Sequence, residues 1–266
     1  MITIVPVRGT LFLLLAANLV GMSSVWAIPQ TADRYRAADE AFRRRSNEEE
    51  ARRALQIYRN IFQDQPENFE IAYRVSMVNF YVGLYLTRES EERQKIFQEG
   101  EKSGRIAIEK NSDCAACYYW TAMNRFGMLE PAGFFKMALE ANEIRKLVKE
   151  SLKLDPAYAE GGGYRLLGML ELKVPAVVGL FGGLFGLEGG SNALAEGYFK
   201  KAIETVPDEP LNYLSLANFY KDRLGDPEKA HGIARKGVSF QGLPVDRVES
   251  RHAIEDLKHV YNLGAR

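Results

Sequence analysis

Between Ala195 and Tyr220 small residues, aromatics and a proline recur at fixed helical offsets, and a chain that repeats this pattern has few folds open to it. Ala195, Phe199 and Ala202 share one face of a helix that ends near Pro207, because proline has no N–H and restricts the residue before it. Tyr213, Leu216, Ala217 and Tyr220 then sit at the spacing of a second helix. Asp226-Pro227 caps a third, in which Ala230, Ala234 and Gly237 supply a small face. Small residues let two helices approach closely, and the aromatics fill the gaps between them.

More worn copies lie upstream. Ala54, Tyr58 and Pro66 mark one second helix, and Tyr73, Met77 and Phe80 the first helix that follows. Trp120, Met123 and Gly127 mark another first helix. Val148, Ser151 and Pro156 close its partner, and Tyr164, Leu167 and Gly168 open the next unit. This is the tetratricopeptide (TPR) pattern of paired antiparallel helices. Pro156 and Pro207 are 51 residues apart, against about 34 for one unit. The excess falls in an insertion at about 174–190, and the helices between Asn68 and Pro156 read as longer than standard. The expected fold is all-α: a TPR-like solenoid of roughly four to five helix pairs, some extended, in residues 28–266. A closing helix is expected at about 246–261. No window alternates with period two for long, so no sheet is expected.

The N-terminus reads as an export signal over residues 1–27. Arg8 precedes an apolar run from Leu11 to Val20, and Val25-Trp26-Ala27 presents small residues where a signal peptidase reads, so cleavage is expected after Ala27. An uncleaved anchor is the alternative, disfavoured by the shortness of the run. There is no cysteine near the cleavage point to accept a lipid. The expected location is therefore periplasmic. Lysine and arginine number 35, as do aspartate and glutamate, and a balanced charge argues against nucleic acid as the main partner.

Cys114 and Cys117 form the one motif with reactive potential. Ser112 or Asp113 is expected to cap the helix they open, and a helix N-terminus lowers a thiol pKa. Thioredoxin-like chemistry wants a βαβ context, which the helical pattern does not offer. A disulfide or two packed thiols is the plainer reading. His231, His252 and His259 lie far along the chain, so no metal site is expected, and no cofactor. No nucleophile, base and orienting residue can be named together, so the chain reads as non-enzymatic.

Val174 to Leu187 is apolar and glycine-rich, with Val178, Leu180, Phe181, Leu184 and Phe185 as its large side chains. Exposed, such a segment costs free energy. It is expected to fold back on the solenoid, to pack in an oligomer, or to touch a membrane or line the path of an apolar ligand. For the concave face the polar and aromatic candidates are Tyr119, Asn124, Arg125, Arg165, Asn218 and Lys221, since arginine grips carboxylates and asparagine clamps backbone.

The central block runs Tyr119-Trp120-Thr121-Ala122-Met123-Asn124-Arg125, then Leu152-Lys153-Leu154-Asp155-Pro156. Gly161-Gly162 with Arg165-Leu166-Leu167-Gly168, and Pro175 with Gly189-Gly190, follow in order. Over roughly Arg34 to Val238 it resembles the TatT family, TPR-type periplasmic components associated with tripartite ATP-independent periplasmic (TRAP) transporters. The resemblance implies a helical accessory protein, a homo-trimer, a periplasmic substrate-binding protein as partner, and a path for an apolar or organic-acid ligand. An envelope scaffold without a small ligand is the second reading, and a thiol redox protein the third.

Overall fold

The computed structural model describes residues 23–129, 134–175, 188–240, 243–244 and 247–264. Among them are eleven α-helices and no strand. In chain order they are α1 (Ser23–Arg43), α2 (Glu48–Asp64), α3 (Phe69–Tyr81), α4 (Ser90–Lys110), α5 (Ala115–Gly127) and α6 (Phe134–Leu154). There follow α7 (Tyr158–Lys173), α8 (Asn192–Thr205), α9 (Pro210–Asn218), α10 (Pro227–Gly237) and α11 (Val248–Gly264). They pair as five hairpins, α1–α2 through α9–α10, with α11 packed against α9 and α10 as the closing helix. The expected helical-repeat solenoid is thus the observed fold.

Local chemistry explains the boundaries. The side chains of Asn47, Asn68, Ser191 and Asp226 each accept a backbone N–H in the first turn of α2, α3, α8 and α10, satisfying donors that would otherwise be orphaned. Pro210 and Pro227 stand at the first helical position, where the missing N–H costs nothing. The cap of α5 is Cys114, whose sulfur faces the Cys117 N–H; Ser112 and Asp113 do not fill that place. The expected extended helices are α4 and α6, 21 residues each, and α3 and α9 run on into π-helical turns at Val82–Leu86 and Phe219–Arg223.

The apolar core is strung along the array. Ala54, Tyr58, Ile71 and Val75 hold the first hairpins. Phe97, Ile144, Leu166 and Leu170 hold the middle, and Phe199, Leu216, Ala234 and Leu257 the last. Each such fully buried large side chain stabilises by about 1.5–3 kcal/mol. Gly168 has its role here: α7 lies so close to α8 that a Cβ would strike the Phe199 ring.

Several expectations fall outside the described residues: the apolar run from Leu11 to Val20, and the insertion side chains Val178, Leu180, Phe181, Leu184 and Phe185. The expected cleavage point after Ala27 lies inside α1. No helix among the described residues is long and apolar enough to cross a membrane.

Candidate functional site

The first helices of the hairpins, with side chains of α4 and α11, line a half-open cavity of about 610 Å³, with the exposed Leu84 and Tyr85 among its lining. On α5 the helical period puts Tyr119, Trp120, Met123 and Phe126 on the cavity wall. Phe80 from α3 and Tyr158 from α7 extend it. The aromatics brace one another. Trp120 lies 6.0 Å from Phe80 and 4.9 Å from Tyr119, ring centre to ring centre, and Tyr119 lies 5.5 Å from Tyr158. Trp120 Nε1 donates to the Tyr158 hydroxyl at 2.8 Å, so the one polar edge of the indole is satisfied without water. Burial pushes the Tyr119 and Tyr158 hydroxyls above their ordinary pKa, which keeps both neutral.

The charged lining is unequal. Arg45, Arg93, Arg165, Lys173 and Arg247 line the cavity with Glu160 and Glu249, five positive side chains to two negative. Arg45 meets Glu249, Nε to Oε1, at 2.8 Å. Arg247 lies 3.4 Å from Glu160 and pairs with Glu209. Glu209 is fully shielded, and its carboxylate accepts the Ser250 hydroxyl at 3.1 Å and the Leu211 N–H at 2.9 Å. Burial raises the Glu160 carboxyl above the usual range, against the pull of Arg247.

Glu160 reaches the cavity through an unusual turn. Ala159, Glu160 and Gly161 are all left-handed, with φ of 50°, 53° and 77°. Such geometry in non-glycine residues costs about 1–3 kcal/mol apiece. Arg165 holds it, donating to the Glu160 carbonyl and to Asn212 Oδ1 at 2.6 Å each, and to the Ala159 carbonyl at 2.8 Å.

The sequence candidates therefore separate. Tyr119 lines the cavity, and Arg165 lines it with its guanidinium already spent on the turn. Asn124 and Arg125 are turned away by the helical period. Asn124 is buried and ties α5 to α3 through the Ser76 carbonyl at 2.9 Å, while Arg125 pairs with Glu101 at 2.8 Å and Glu140 at 2.6 Å. Asn218 and Lys221 line a separate depression of about 230 Å³ with Asp256 and His259. Arg45 belongs to the charge run Arg43-Arg44-Arg45, which reads as a solvated helix face, while Glu160, Arg247 and Glu249 went unread because each is a single charge near a helix end, with no local pattern to mark it. Trp120, Met123 and Phe80 were legible as repeat residues, not as a wall.

Cys114 and Cys117 are joined by a disulfide. Cys117 is wholly shielded and Cys114 nearly so, packed against Ala72 and Ala107 and outside the cavity lining. No cluster of potential metal ligands occurs among the described residues.

Among known proteins the chain is similar in structure to a thermophilic TPR protein of Thermus thermophilus, at 16% identity and a TM-score of 0.57, over 82% of this chain and 100% of that one. PilF of Pseudomonas aeruginosa aligns at 15% identity with a TM-score of 0.48, over 87% of this chain and 93% of its own. The first likeness carries the TPR fold. No curated protein matches by sequence. The sequence profile of the family described as Regulator of microtubule dynamics protein 1-3 matches residues 35–262.

Proposed function

The chain belongs to the Regulator of microtubule dynamics protein 1-3 family, and on that premise we propose that it is a non-enzymatic, exported TPR binding protein whose concave face holds an apolar ligand with an anionic end. The observation that carries this is the cavity itself. Its volume of about 610 Å³ is in the range of small-molecule sites, about 300–1,000 Å³. Its wall is aromatic, and most of its charged lining residues are cationic. An alkyl or aryl chain would displace water from the wall, and a carboxylate or similar anion would complement the cationic side chains beside it.

The outer faces of a TPR array suit a protein partner. Together with the resemblance to the TatT family, this supports an accessory role beside a periplasmic substrate-binding protein. Trimer formation and peripheral membrane contact through the segment around Phe181 and Phe185 belong to the same reading. Export is supported by the N-terminal pattern and by the disulfide, which persists in oxidising compartments.

The test is native mass spectrometry of the protein purified from its own envelope, followed by organic extraction. A co-purifying anionic amphiphile, released on denaturation, supports the proposal. A chain that never carries an adduct, and takes up no alkyl carboxylate offered to it, leaves the second reading: a scaffold for envelope proteins.

A further inference from the structure

A helical solenoid ordinarily keeps its ends apart, since each repeat touches only its neighbours. Here the ends meet. Arg45, in the turn between α1 and α2, reaches Glu249 in the first turn of α11, 204 residues along the chain. The guanidinium is held 4.8 Å above the Phe42 ring and 5.7 Å from that of Tyr81, and the Glu249 side chain keeps 27% of its exposure. The joint is polar, whereas the bodies it joins are apolar and separately packed. The core around Tyr58 and Val75 shares no residue with the core around Phe199 and Leu257. A contact of this kind opens before either core does, because an ion pair can be exchanged for water or for another anion. The cavity draws its wall from both sides of the joint, with Phe42 and Tyr81 on one and Arg247 and Ser250 on the other.

We infer that the Arg45–Glu249 pair is a latch: the half-open cavity widens to admit and release its ligand when the first hairpin parts from the closing helix, and the ligand's anionic end takes the place of Glu249 at Arg45. This rests on the reading of the cavity as a ligand site. The latch makes exchange, rather than affinity alone, the quantity set by these two residues.

The test uses the full chain carrying Arg45→Cys and Glu249→Cys, bridged by a short bismaleimide; the native cysteines are shielded and already oxidised. The probe is an anthroyloxy-labelled long-chain fatty acid, followed by stopped-flow fluorescence. The unbridged double variant, and Glu249→Gln on its own, should exchange the probe faster than the unaltered chain. The bridged chain should exchange it about tenfold more slowly or worse. Equal rates in bridged and unbridged chains that both bind the probe would overturn the latch. If the unaltered chain takes up no probe, the ligand reading fails by itself, and the latch is judged by spin labels at Arg53→Cys and Lys258→Cys. Glu249→Gln must then lengthen or broaden the distance between the labels, and an unchanged distribution overturns the inference.

Discussion

Arg145 and Glu171 bind one another where neither reaches water: Nη2 lies 3.1 Å from Oε1, and the side chains keep 5% and 3% of their exposure. The pair ties α6 to the last turns of α7. Each partner also reaches the chain beyond the insertion, Arg145 donating to the Glu188 carbonyl at 3.3 Å and Glu171 accepting the Ser191 N–H at 3.1 Å.

Removing Arg145 leaves the Glu171 carboxylate buried without a cation, whereas Arg145 on its own would keep the Glu188 carboxylate at 3.5 Å. Arg145→Met should cost about 3–5 kcal/mol. Replacing both residues by Met should cost less than Arg145→Met alone, since no charge is stranded. Urea unfolding of the single and double variants checks this, and a double variant weaker than the single would refute it.

Gly168→Ala should destabilise by about 1–3 kcal/mol through overpacking, because the new methyl meets the Phe199 ring. Adding Phe199→Leu should return part of the loss, so the pair must be non-additive in a double-mutant cycle.

Arg93→Gln combined with Lys173→Gln removes two of the positive side chains lining the cavity. Affinity for a long-chain carboxylate should fall about tenfold, the effect of roughly 1.4 kcal/mol. Affinity for the matching uncharged alcohol should not change. Isothermal titration of the two ligands separates charge from packing.

The Cys114–Cys117 disulfide closes a very short loop, so its loss should cost at most about 2 kcal/mol. Cys114→Ser with Cys117→Ser should therefore keep the helical circular-dichroism spectrum and the ligand. Because Cys117 is wholly shielded, a mild thiol reductant should leave the native bond intact. Rapid reduction of the folded chain would revive the redox reading.

Glu160 gives a pH signature. Burial raises its folded pKa above the ordinary 4.5, so the native state is penalised wherever the carboxyl is ionised. That penalty is absent below about pH 4.5 and grows as pH rises through the raised value. Thermal melts should show Glu160→Gln gaining on the unaltered chain as pH rises above about 4.5, until the raised folded value is passed. A difference that stays constant, or reverses, contradicts the assignment.

The repeat was written plainly in the sequence because its determinants are local. Small residues at Ala195 and Ala202 and a helix-ending Pro207 act within a few turns, as do the caps. The closing helix and the longer helices α4 and α6 followed from the same periodicity. The cavity was legible only in part. Tyr119 was named for it, but whether Asn124 or Met123 faces inward depends on how α5 is rotated against α3 and α6, and that is decided by contacts such as Asn124 with Ser76. The Arg45–Glu249 pair spans most of the chain, and no local pattern can announce a contact set by the curvature of the whole array.

The base of the insertion has a consequence for engineering. The Gly190 backbone lies so close to the Val174 and Glu171 carbonyls that no side chain fits between them, and Arg145 grips both arms of that base. The chain departs from and returns to one spot, which makes the intervening stretch a natural grafting point. A reporter domain whose termini lie close together could be spliced in there, with the superhelix on either side keeping its phase.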